Sequence, residues 1–106
     1  MAPLFPPTTR TVTAGFTRNG IASDPDEVVA EFGLRGGTST RLVYGVDTEL
    51  NRAGTGDYSF DVDCLTPGRW VAKLTGRWDD AGGPTYRALE ESWVVERSSF
   101  SSTLEG

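Results

Sequence analysis

The reading of "TGDYSFDVDCLTPGRWVAKLTGRW", Thr55 to Trp78, decides the fold. In its first half Tyr58, Phe60, Val62 and Cys64 point one way, while Ser59, Asp61 and Asp63 point the other, the period-2 pattern of a strand with one buried face. After Thr66-Pro67-Gly68 the alternation resumes, with Trp70, Ala72, Leu74, Gly76 and Trp78 on one face and Arg69, Val71, Lys73, Thr75 and Arg77 on the other. Two strands are plain; how they are joined is not. Paired as a hairpin across the three-residue loop, they would set Phe60 against Leu74 and Asp61 against Lys73. In a two-layer sandwich they belong to opposite sheets, and Phe60 meets Trp70 across the core. The second arrangement is expected here, because the strands counted along the whole chain have to close into two layers. Contact between the Asp61 and Lys73 side chains would overturn it.

Working outward, "TVTAGFT" (Thr11 to Thr17) places Val12, Ala14 and Phe16 on one face, and Arg18-Asn19-Gly20 reads as a turn. "SDPDE" (Ser23 to Glu27) breaks the pattern before Val28, Ala30, Phe32 and Leu34 alternate with Val29, Glu31, Gly33 and Arg35. Gly36-Gly37 ends that strand, a short one follows around Arg41 to Tyr44, and Val46 to Arg52 is a weak, edge-like segment. Ala53 to Asp57 turns the chain into the opening stretch. Beyond it, "DDAGGP" (Asp79 to Pro84) reads as a loop, and Tyr86 to Glu96 as the last strand, with Leu89, Trp93 and Val95 on one side.

The total is about seven short strands, punctuated every eight to twelve residues or so, with no helical periodicity, which points to an all-β antiparallel sandwich of Ig-like arrangement. Its span is residues 10–97. The expected core includes Phe32, Tyr58, Phe60, Val62, Trp70, Leu74 and Trp93, with Trp78 inside as well but at a strand end beside a loop. Residues 1–9 form a Pro-rich, extended arm, and residues 98–106 a Ser-rich, flexible tail. Leu4 and Phe5, flanked by Pro6 and Pro7, are apolar side chains that a free arm would leave in water. They either cover the domain's own edge or dock on a partner.

Composition narrows the function classes. A chain of 106 residues is one domain by size, and 37% hydrophobic residues are enough to build a core. The net charge of −5 argues against partners made of phosphate, so neither nucleic acid nor an anionic membrane surface is expected. No apolar run approaches the length of a membrane-spanning helix. The start "MAPLFPPTTR" lacks the basic and apolar regions of an export signal, so, unless a leader was processed away, the chain is expected to stay in the cytoplasm.

Without histidine, Ser-His-Asp and Cys-His catalysis and His-containing zinc sites are excluded. The single cysteine, Cys64, reads as a small core hydrophobe. Asp61, Asp63, Asp79 and Asp80 are candidate calcium ligands, but they lack a liganding-loop pattern and read as solubilising turns and strand faces. A pair of carboxylates drawn from Glu90, Glu91, Asp61 and Asp63 could in principle serve glycoside hydrolysis, yet no insertion builds a pocket around them. No catalytic residue, metal or cofactor is therefore assigned. Trp70, Trp78 and Trp93 would have to be exposed together to stack on sugar rings, and their shared face with Ala72 and Leu74 argues for the interior instead. Strand edges, at Val46 to Arg52 and Thr11 to Thr17, are the remaining candidate binding features.

The order "TGDYSFDVD", "TPGRWVAKLTGRW", an acidic glycine-containing loop and "ESWVVE" resembles a family of small Ig-like structural proteins of tailed bacteriophages. The residues that carry the resemblance are Gly56, Tyr58, Pro67, Gly68, Trp70, Trp78, Glu91, Ser92, Trp93 and Val95; "SDPDEVVAEFGLRG" and "STRLVYG" fit the earlier strands, so it spans Thr11 to Glu96. The resemblance implies a non-enzymatic virion protein assembled in the bacterial cytoplasm. Decoration or cementing of the capsid, docked on the major capsid protein, is the preferred role. A head-tail junction or tail component, or a carbohydrate- or receptor-binding module, is the alternative. The implied partners are proteins, and Leu4, Phe5, Pro6 and Pro7 are the candidate docking residues. The chain is expected to be oligomeric once in the particle.

Overall fold

The computed structural model describes residues 8–96. Those residues form strands β1 (Thr8–Gly15), β2 (Thr17–Arg18), β3 (Ile21–Ala22), β4 (Glu27–Leu34), β5 (Ser39–Val43), β6 (Asn51–Gly54), β7 (Asp57–Cys64), β8 (Gly68–Asp80) and β9 (Gly83–Val95). One sheet has the order β1-β7-β6 and another β5-β4-β8-β9, and β2 and β3 make a small hairpin. Every strand pair is antiparallel. At the turn of the small hairpin Asn19 and Gly20 both take positive φ, 54° and 77°, the left-handed pair that a two-residue turn demands.

The strands on either side of Thr66-Pro67-Gly68 do lie in different sheets: β7 pairs with β1 and β6, whereas β8 pairs with β4 and β9. Asp61 instead sits opposite Thr11, whose hydroxyl donates to its carboxylate at 2.6 Å. The two sheets face each other across one core, sandwich-like. The β1-β7-β6 sheet contributes Val12, Ala14, Tyr58, Phe60, Val62 and Cys64, and the other contributes Val28, Ala30, Leu42, Ala72, Leu74, Trp78, Trp93 and Val95. Phe32 and Phe60 meet between the layers, ring centroids 5.4 Å apart. At one end Phe16 packs edge-on against Tyr58 and Trp78, at 5.8 and 6.1 Å.

Several sequence expectations need correction. Trp70 and Phe32, placed in the core, are only half-buried and pack against it. Trp70 lies near the start of β8, and its indole N–H donates to the Thr66 carbonyl in the preceding connection at 3.0 Å, which ties the ring to that end of the strand. Trp78, in contrast, is buried. The arm yields two residues to the sheet, because β1 begins at Thr8, opposite Cys64. Asp79 to Pro84 is not a loop: β8 and β9 continue as one long hairpin, with Asp79 opposite Pro84 and Asp80 opposite Gly83, leaving Ala81-Gly82 as the turn. Acidic residues can sit there because Arg77 and Arg18 hold their carboxylates at 2.9 and 2.8 Å. Val46 to Leu50 forms turns rather than an edge strand, and only Asn51–Gly54 pairs.

Candidate interaction surface

The most connected polar group is Asp24, in the loop between β3 and β4. Its carboxylate accepts from Arg52 at 3.0 and 2.7 Å, from the Gly56 backbone N–H at 2.8 Å and from the Tyr58 hydroxyl at 3.1 Å. The Arg52 bonds first, then the Gly56 N–H, hold Asp24 far below the usual carboxylate range. Burial, then the anionic Asp24, pushes the Tyr58 phenol up to about 12. A cleft of about 460 Å³ lies beside this clasp, lined by Asp26, Glu27, Tyr44 and their neighbours. Its acids are already engaged: Asp26 accepts from the Asp79 backbone N–H at 2.6 Å, and Glu27 pairs with Arg77 at 3.4 Å. The site ties loops together and offers a ligand few free polar groups.

Most of the other carboxylate candidates follow the same rule. Asp63 accepts from Thr9 at 2.8 Å, Asp80 from Arg18 and Thr85, and Glu91 pairs with Arg10 at 2.8 Å. Among the described residues no group of three or more acidic or Cys side chains is arranged to hold a metal ion. Cys64 is fully buried, and burial pushes its thiol up, away from the reactive thiolate. The tryptophans do not form a platform. Trp78 is covered by Phe16 and by the Arg18 guanidinium 5.1 Å from its ring, and Trp93 by Arg10 at 4.9 Å.

The conspicuous exposed feature is β9. Leu89 lies opposite the buried Leu74, so it projects from the inner face of its sheet, yet it is 42% exposed. From Gly83 to Glu90 every residue is exposed, on both faces. The covering is uneven along the strand: Trp93 and Val95 are buried and Arg10 of β1 reaches Glu91 at 2.8 Å, whereas a gap is left beside Leu89. The gap shows as a small cleft of about 130 Å³ between Arg87 and Leu89 on one side and Gly15, Phe16 and Thr17 on the other. The outer edge of β9 has no strand beside it among the described residues. On the outer face, register places Arg41, Glu31, Lys73 and Glu90 in one row across β5, β4, β8 and β9, with charges that alternate.

A second exposed region lies at one end of the sandwich. Thr8 begins β1 beside Cys64, and Val95 ends β9 beside Gly68, so the first and last strands start and finish at this one end. Leu65, 72% exposed, and the half-buried Trp70 and Leu34 are here too. Leu4, Phe5, Pro6 and Pro7 lie outside the described residues. Tyr58, Phe60, Val62, Leu74 and Trp93 are brought together in the core. Sequence reasoning missed Asp24, whose partners are 28 to 34 positions away, and the two-sided exposure of β9, where Leu89 alternates like any core residue. No family model, curated protein or solved structure matches the chain.

Proposed function

We propose that this chain is an Ig-like, non-enzymatic virion structural protein of a tailed bacteriophage, and that it decorates the capsid by docking on the major capsid protein. The strand order supports the Ig-like reading: β7 and β8 cross between sheets, and β4 and β8 pair at the centre of the wider one. The observation that carries the docking role is the shared end of the molecule. Thr8, the first residue of β1, lies at the end of the sandwich that carries exposed Leu65 and half-buried Trp70, and Leu4 and Phe5 precede it closely in the sequence, so this end is the one proposed to meet the partner. The polar groups favour a structural role, since the clustered acids bind this chain's own arginines, hydroxyls and backbone.

The test uses full-length protein and purified particles lacking it. Wild-type chain binds the particles at saturable sites, and electron microscopy locates it on capsomers. Density at the neck or along the tail would assign the head-tail or tail role instead. The double variant Leu4→Ser, Phe5→Ser keeps its thermal midpoint but loses binding. Undiminished binding by that variant would remove the arm from the docking surface.

A further inference from the structure

The free edge of β9 is built to pair with the same edge of a second copy, and we infer that this chain forms a two-fold symmetric dimer through it. The edge is long, thirteen residues, and open along its length among the described residues. Such an edge is a template for another strand, and isologous self-pairing is the simplest closed way to fill it. Symmetry limits the registers. Two antiparallel copies related by an axis normal to the sheet place each residue opposite one of the same face, so odd residues meet odd and even meet even.

Charge then selects among what remains. Centring the axis on Arg87, Glu90 or Glu91 sets that residue against itself, like charge on like charge. Centring on Ala88 forms no ion pair, and centring on Tyr86 or earlier, or on Ser92 or later, pairs seven or fewer of the thirteen residues. Centring on Leu89 does three things together. Gly83 lies opposite the partner's Val95 and all thirteen residues pair; Leu89 meets the partner's Leu89; Arg87 lies opposite the partner's Glu91, twice. Leu89 is the exposed apolar side chain that this contact would cover. The Glu91 side chain remains 39% exposed while it binds Arg10, so an oxygen is left for a second cation. Charge and overlap together, on a strand whose charges protect its edge from indiscriminate pairing, favour this one register. The two four-stranded sheets then run on as one sheet of eight strands. The inference stands apart from the virion reading, since a dimer can form whether or not the protein docks on a particle.

The test is sedimentation equilibrium of the full-length chain and two charge variants. Wild type self-associates to a dimer. Arg87→Glu puts acid against Glu91, and Glu91→Arg puts base against Arg87, so each alone weakens association by about tenfold or more. Mixed in equal amounts, the two variants restore opposite charges at both contacts and form a mixed dimer. A variant that had merely lost its fold would not recover on mixing, and thermal unfolding of each one alone checks this directly. Monomeric wild type at high concentration overturns the inference. So does a dimer indifferent to Arg87→Glu, which would place the contact on another surface or on the arm.

Discussion

At the scale of single residues, Gly76 shows how a pattern can be right and its reason hidden. Gly76 falls in the inward row of β8, as the alternation requires, but a Cβ there would lie 2.6 Å from Pro25 Cγ and 2.9 Å from Phe16 Cε1. Phe16 is almost fully buried and wedged against Trp78 and Tyr58, so it has no room to retreat. Gly76→Ala should destabilise the domain by about 1–3 kcal/mol through overpacking, seen as a lower urea midpoint with an unchanged m-value. An unchanged midpoint would mean that Phe16 can move. The tryptophans make the same point. Trp70 and Trp78 have identical alternation in the sequence, yet one is tied to a strand end and the other is roofed by Phe16, because burial depends on what stands opposite.

At the scale of elements, the Asp24 clasp joins the loop after β3 to β6, to the turn before β7 and to β7 itself. Folding lowers the pKa of Asp24 from its ordinary 3.8, so the clasp stabilises in full above that pH and progressively less as pH falls below it. Folding raises the Tyr58 pKa from 10.0 to about 12, so its share is complete below pH 10 and is lost as pH rises toward the folded value. Asp24→Asn should therefore lower the melting temperature at neutral pH, and the gap from wild type should narrow as pH falls below 3.8. A gap independent of pH would show that the carboxylate charge is not what the clasp uses. None of this was legible beforehand: "SDPDE" reads correctly as a breaker, but a carboxylate's partners across the fold leave no local mark. Nor was the long hairpin legible, since Asp79-Asp80 and Gly82-Gly83 carry loop composition, while the partners of the two carboxylates, Arg18, Arg77 and Thr85, are apparent only in the fold.

At the scale of the whole molecule, the layers cohere through contacts such as Phe32 on Phe60. Phe60 is 1% exposed, and Phe60→Ala should cost about 3–5 kcal/mol, a large part of the roughly 5–15 kcal/mol that holds a typical domain. Because both sheets share this core, far-ultraviolet circular dichroism and tryptophan fluorescence should report one coincident transition, displaced together in the variant. Separate transitions would mean that the sheets are independent units.

The sequence by itself determined the all-β class, most strand positions and most of the inward rows; that β7 and β8 lie in different layers was the expected alternative, and the structure decided it. Period-2 alternation is local, and burying two apolar rows requires two facing sheets. Only the tertiary structure decided which stretch of each strand the facing layer covers, and that coverage decides exposure. Leu74 and Leu89 lie opposite each other on neighbouring strands, facing the same way. One is sealed in the core, and the other stands in water beside a small cleft that separates it from Gly15, Phe16 and Thr17, although β1 does reach the same strand at Glu91.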